Sequence, residues 1–140
     1  MRILGVIPAR YQSSRFPGKP LIDIAGKSMI ERVYEQCLKS SSLSKVIVAT
    51  DDHRIADHVS LFGGNVAITS DKHQSGTDRC AEVANNYPEF DVLINIQGDE
   101  PMIDPGQIDL LCKCFEDPQT SIATLVKKIS TNEELFNENT

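Results

Sequence analysis

Basic residues are in the minority in this chain of 140 residues: 14 Lys and Arg stand against 20 Asp and Glu, a formal net charge of −6. That balance argues against a general nucleic-acid binder or a membrane-surface protein, both of which need a positive face. No apolar run approaches membrane-spanning length and the opening lacks a signal-peptide pattern, so the expected location is the cytoplasm, with no membrane partner. Tryptophan is absent and aromatic content is only 6%, but a hydrophobic fraction of 40% is still enough for a real core. The four cysteines, Cys37, Cys80, Cys112 and Cys114, form no CxxC pair, and the expectation is buried reduced thiols rather than disulfides or zinc. His53, His58 and His73 have no metal-motif spacing and are expected at the surface or at helix caps. The GxGxxG dinucleotide fingerprint is missing as well. "GKS" at Gly26 to Ser28 resembles the end of a P-loop, but the glycine required five residues before Gly26 is replaced by Leu21.

Against that acidic background the start of the chain stands out. From Met1 to Ile22 there are four cations and no carboxylate, and "IPARYQSSRFPGKPL" holds three of them, Arg10, Arg15 and Lys19. The chain length is that of one ordinary domain or part of one. Short β-branched runs read as strands at 2–8, 45–50, 66–69, 91–96 and 121–127. Amphipathic stretches between them read as helices. The first, 28–39, opens with Ser28 and Glu31 in capping-box spacing and carries a stripe of Met29, Ile30, Val33, Tyr34, Cys37 and Leu38. The others span 52–62, stopped by Gly63-Gly64, then 77–86 and 105–115 with Pro105 in its first turn, and a short helix is possible at 132–136. Strand alternating with helix predicts an α/β, Rossmann-like fold with a mainly parallel sheet and helices on both faces. The polar end, "NEELFNENT", has no closing element, which leads to the expectation that the fold is incomplete.

In such a sheet ligands collect at the carboxyl ends of the strands. The cationic loop follows the first strand directly. Its two guanidiniums, its ammonium, the hydroxyls of Ser13 and Ser14 and its backbone N–H groups suit a polyphosphate, Arg binding oxygens in pairs and Lys acting as a point charge. The competing reading is a solvated loop paired with carboxylates elsewhere. A second constellation, "NIQGDEP", runs from a buried strand into Gly98 and Asp99. A carboxylate facing a phosphate loop suggests Mg²⁺, with Asp99 as its ligand; the alternative is a capping or turn aspartate. In the third, "HQSGTDR", Ser75 and Gly76 precede a helix and Arg79 adds a cation, although Ser75 or Thr77 can simply cap that helix. In "ATDD", Asp51 or Asp52 is expected to cap the next helix.

Together these motifs resemble the 3-deoxy-manno-octulosonate (Kdo) cytidylyltransferase family. "IPARYQSSRFPGKPL" resembles the opening of sugar-activating cytidylyltransferases in general, and "HQSGTDR" with "NIQGDEPMI" narrows the likeness. "GKSMIERV", "VIVATDD" and "ATLVKKI" fall in the family's order. The resemblance implies a nucleotidyltransferase using CTP and Kdo as small-molecule substrates and Mg²⁺ as cofactor, in lipopolysaccharide biosynthesis. It implies that Arg10, Arg15 and Lys19 hold the triphosphate, with Arg15, Lys19 and Asp99 catalytic. It further implies that Asp99 holds the metal and Gln97 approaches the sugar or ribose. Ser75, Gly76 and Arg79 would line the cytidine site, while Pro8 and Ala9 would offer backbone groups to the nucleotide. Members of the family are longer than this chain. Residues 1–140 are therefore expected to be the nucleotide-binding part of a single α/β domain, without the sugar-binding and dimerisation part that would make a homodimer. Two rival readings are another sugar nucleotidyltransferase, such as the CMP-sialate type, and a truncated nucleotide-binding module without activity.

Overall fold

The first strand, β1 (Ile3–Pro8), is apolar along its length because both of its faces and both of its edges are covered. A computed structural model of the protein describes residues 1–12 and 15–117; the strand expected at 121–127 and the short helix at 132–136 lie outside the described residues. After β1 come a two-stranded hairpin, β2 (Asp23–Ile24) and β3 (Lys27–Ser28), and helix α1 (Met29–Leu38). The chain continues through β4 (Lys45–Thr50), α2 (His53–Leu61), β5 (Val66–Ile68), α3 (Gly76–Asn86), β6 (Val92–Asn95) and α4 (Pro105–Lys113). Strands β5, β4, β1 and β6 lie side by side in that order, all parallel. The chain moves outward from β1 through β4 to β5, then returns to place β6 on the other flank of β1. The α/β expectation holds, and this reversal of direction puts the ligand-binding crevice between the ends of β1 and β6.

Period-two alternation along the strands sorts the core into two layers. Ile3 and Ile7 of β1, with Val46 and Val48 of β4 and Ile94 of β6, meet Ile30, Val33 and Cys37 of α1, Ile55 and Val59 of α2 and Ile108 of α4. Leu4, Val6, Ile47 and Ala49 point the other way, onto Cys80 and Val83 of α3. Each fully buried Val, Leu or Ile removes enough surface from water to contribute about 1.5–3 kcal/mol, which makes these two layers the main source of stability.

Local chemistry sets the helix starts. Ser28 caps α1, its Oγ accepting from the Glu31 N–H at 3.2 Å, the serine half of the expected box. Asp52, rather than Asp51, caps α2, and Asp104 caps α4 with Pro105 as its first residue. Three expectations need correction. The stripe on α1 consists of Ile30, Val33, Tyr34 and Cys37, whereas Leu38 is exposed. Cys114 is an exposed thiol in the 3-10 turn after α4, while the other three cysteines are buried free thiols. His58 and His73 are partly buried and partnered, His58 Nε2 with Ser28 Oγ at 2.6 Å and His73 with Glu82 at 3.0 Å. The hairpin was not foreseen: "GKS" begins at its turn, where Ala25 and Gly26 both have positive φ, the geometry of a two-residue hairpin connection.

Candidate functional site

β1 keeps its partners to the very rim of the sheet. The Ala9 N–H donates to the Ala49 carbonyl at 2.9 Å, which buries Ala9 and makes exposed Arg10 the first residue to leave the sheet. β6 behaves alike: the Ile96 N–H donates to the Val6 carbonyl at 2.8 Å, and Gln97, Gly98 and Asp99 then run along the same rim. Gly98 lets the two strand ends come together. A Cβ there would sit 3.2 Å from the Pro8 carbonyl oxygen and 3.4 Å from Ile7 Cγ2, so a side chain would wedge the rim apart.

The cationic loop leaves after Arg10 and returns to its own start. The Gly18 N–H donates to the Tyr11 carbonyl at 2.8 Å, and Gly18 has φ of 74°, a left-handed conformation that favours glycine. Residues Lys19–Leu21 then form one 3-10 turn, closed by the Leu21 N–H on the Gly18 carbonyl at 2.9 Å. This turn points Lys19 back over the strand ends, where its Nζ lies 3.6 Å from Asp99 Oδ2. Pro8, Ala9, Arg10, Lys19, Gln97 and Asp99 therefore line one cavity of about 170 Å³, together with Gln12, Pro20 and Gly98. Arg15 lies on the exposed part of the loop outside that lining, and Ser13 and Ser14 are outside the described residues.

A second cavity of about 330 Å³ adjoins the first through Arg10 and Gln12 and opens over the ends of β4 and β5. Its character is different. Asp51, Asp52 and Asp71 line it with Arg10, His73 and Arg79, so three carboxylates stand against two guanidiniums and one imidazole. Arg79 is buried, with a side chain only 2% exposed, and its guanidinium is occupied. It donates to Thr69 Oγ1 and to the Ser70 carbonyl at 3.2 Å, and it faces Asp51 Oδ1 at 3.4 Å. Arg79 thus ties α3 to the ends of β4 and β5, a role that its position in "HQSGTDR" does not announce. Ser75 caps α3, accepting from the Asp78 N–H at 3.1 Å, and Gly76 lies against the Pro8 ring. At the cavity rim the Ser70 N–H and the His73 ring hold the Glu82 carboxyl below its ordinary range.

The first cavity suits a phosphorylated ligand. Two of its lining residues are cations, and backbone from two strand ends faces the same space. The Lys19–Asp99 contact is long, with side chains 46% and 56% exposed, so giving it up in favour of a ligand costs little. As for a divalent cation, among the described residues Asp99 is the one carboxylate lining this cavity, and no cluster of three or more His, Cys, Asp or Glu side chains could hold a metal. That donor set fits Mg²⁺ only where phosphate oxygens complete the shell, which is how this ion commonly binds. Sequence reasoning missed Gln12, Pro20 and Gly98 as lining residues. It also missed a stack of Arg54 on Tyr11, for which the only signal was an aromatic residue inside a cationic loop.

Comparison with known proteins gives the family. A family model described as Cytidylyltransferase matches residues 4–140. A 3-deoxy-manno-octulosonate cytidylyltransferase of Parabacteroides distasonis is 54% identical over 99% of this chain and 57% of its own length. One from Bacteroides thetaiotaomicron is 54% identical over 95% of this chain and 53% of its own length. The chain spans about half the length of the curated relatives it matches. A solved CMP:2-keto-3-deoxy-manno-octonic acid synthetase complexed with CTP superposes with a TM-score of 0.82 at 49% identity, covering 85% of this chain and 49% of that one. A cytidylyltransferase from Leptospira borgpetersenii superposes with a TM-score of 0.72 at 26% identity, covering 85% and 50%. A match running through the cationic loop, the β6 rim and nearly all the rest of the sequence leaves one assignment: the chain belongs to the cytidylyltransferase family.

Proposed function

We propose that this chain is the nucleotide-binding part of a 3-deoxy-manno-octulosonate cytidylyltransferase, an enzyme that joins CTP and Kdo into CMP-Kdo and releases pyrophosphate. The observation that carries the reading is the meeting of Lys19 and Asp99 across the β1/β6 crevice, 3.6 Å apart, on walls shared with Arg10 and Gln97. In this reaction the anomeric hydroxyl oxygen of the sugar attacks the α-phosphorus, its proton passes to solvent, and the bond from the α-phosphorus to the bridging oxygen breaks so that this oxygen leaves with pyrophosphate. Chemistry of this kind depends on positioning and charge neutralisation more than on covalent participation by the protein.

In this reading Arg10 and Lys19 grip the triphosphate, and Lys19 exchanges Asp99 for a phosphate oxygen when the nucleotide enters. Arg15 approaches from the outer part of the loop. Asp99 is the residue that would hold Mg²⁺, and the ion would supply charge neutralisation at the phosphate oxygens. Pro8 and Ala9 present backbone to the nucleotide, Gln97 faces the sugar or ribose, and Ser75, Gly76 and Arg79 shape the cytidine side. For Arg79 that shaping is indirect, through Asp51 and Thr69. A role in lipopolysaccharide synthesis belongs to the same reading, supported by the names of the relatives; the cytoplasmic location and the homodimer are part of the proposal as what the family resemblance implies. No helix among the described residues is long and apolar enough to cross a membrane.

The test is pyrophosphate release by the protein carrying this chain, with each of CTP, UTP, ATP and GTP, with and without Kdo and Mg²⁺. Release that needs CTP, Kdo and Mg²⁺ together is the expected result. Release with another triphosphate and indifference to Kdo would overturn it. A second reading, a nucleotide-binding module without turnover, draws on the single carboxylate of the cavity. It predicts CTP binding with no pyrophosphate release.

A further inference from the structure

The cationic loop has to keep Arg10 and Lys19 over the strand ends although its like charges repel, and the backbone hydrogen bonds of Gly18 and Leu21 are ties within the loop itself. The structure adds an external one. Arg54, in the first turn of α2, lays its guanidinium over the Tyr11 ring, 3.3 Å from the centroid. The ring in turn lies against Gly18: a Cβ at Gly18 would be 3.1–3.3 Å from three atoms of the Tyr11 side chain. Arg54 is itself fixed by Asp52, donating from Nε at 3.1 Å and from its terminal nitrogen at 2.7 Å, while Asp52 caps α2. A cation at a helix N-terminus opposes the helix dipole, so the dipole alone would not put Arg54 there. What it gains there is the Asp52 fork and the face of an aromatic ring, both suited to a planar guanidinium.

We propose that Asp52, Arg54 and Tyr11 form a pin that holds the start and end of the cationic loop together and so aims Lys19 at the β1/β6 cavity. Tyr11 and Arg54 are positioning residues, not catalytic ones. The geometry of the pin stands by itself; its consequence for nucleotide binding rests on the polyphosphate reading above. Because the pin acts on the return of the loop and on Lys19, it serves the outer phosphates of a nucleotide far more than the base.

The experiment has two arms on the same protein. In the first, hydrogen exchange is followed at the Gly18 and Leu21 amides without nucleotide. Tyr11→Ala is expected to speed exchange at both by about tenfold, the scale of losing a packed ring together with its cation contact, and Tyr11→Phe to restore the original rates. In the second arm, CTP, CMP and pyrophosphate binding are compared. Tyr11→Ala is expected to weaken CTP and pyrophosphate about tenfold and CMP less than about twofold; Arg54→Met is expected to follow the same pattern at about threefold. Unchanged exchange in Tyr11→Ala, failure of Tyr11→Phe to restore it, or equal weakening of CMP and CTP would overturn the pin. If the unaltered protein binds neither CTP nor pyrophosphate, the proposed function falls, and the exchange arm still decides whether the pin exists.

Discussion

The two cavities share Arg10 and Gln12 and lie side by side on one edge of the sheet, yet they use charge in opposite ways. In the β1/β6 cavity, Lys19 and Asp99 face each other at 3.6 Å, both about half exposed, with water free to replace either partner. Over β4 and β5, Arg79 is sealed in, and its donors are divided among Thr69, Ser70 and Asp51. An exposed pair is worth roughly 0–1 kcal/mol and is readily exchanged for a ligand. A buried cation separated from its partners carries a desolvation cost of several kcal/mol. The same residue types therefore leave an exchangeable pair open to solvent in one place and make a structural clamp in the other. What separates them is solvent access.

If that contrast is right, Arg79→Met is the most damaging of the following changes. It should cost about 2–4 kcal/mol in urea unfolding, because Thr69 and Asp51 lose their buried donor. Asp99→Asn should leave urea stability within about 0.5 kcal/mol of the unaltered protein while lowering Mg²⁺-dependent pyrophosphate release about a hundredfold, roughly 2.7 kcal/mol of barrier. Unfolding of that variant would return Asp99 to a turn-forming role. Gly98→Ala should destabilise by about 1 kcal/mol and weaken CTP binding, as the new methyl presses on the Pro8 carbonyl and opens the rim. Lys19→Ala should change stability least, by under about 0.5 kcal/mol, and still weaken CTP binding.

Acid sharpens the same comparison. The Ser40 hydroxyl, with the Ser42 and Ser41 N–H groups, holds the Asp109 carboxyl below its ordinary range, and Glu82 is lowered by Ser70 and His73. A lowered folded-state pKa means stability that is present above the ordinary carboxylate range and lost as pH falls through the folded value. Unfolding followed by circular dichroism should therefore show stability falling below about pH 4, and the fall should be shallower in Ser40→Ala. A fall that is identical in the two proteins would remove Asp109 from this account.

The strands and helices were readable because each has a period and a stop. "KVIVAT" is β4 residue for residue, and Ser28, Gly63 and Pro105 mark helix ends within a residue or two. The β2–β3 hairpin escaped because a two-residue strand has no period to read; its cue, Ala25-Gly26, sits beside a P-loop-like tripeptide that draws attention elsewhere. At the site, Arg10 and Asp99 were legible because each follows an apolar strand within a few residues, and Lys19 because it belongs to the run of cations after β1. Arg79 was misleading: a cation near a helix start looks available, and burial is not written in its neighbours. Arg54 was silent, since only the packing of α2 beside the loop brings it to Tyr11, 43 positions earlier in the chain.

Local sequence alone determined the alternation of strand and helix, and with it a parallel sheet and the end of that sheet at which ligands bind, because periodicity and caps act over a few residues. It also determined which charged groups stand at strand ends. Tertiary structure decided which of those charges stay exchangeable. The order β5-β4-β1-β6 joins the loop after β1 to the rim after β6 and encloses Arg79 between β4, β5 and α3. Solvent access, which separates a ligand grip from a clamp, is a property of the packed molecule and of no stretch of residues within it.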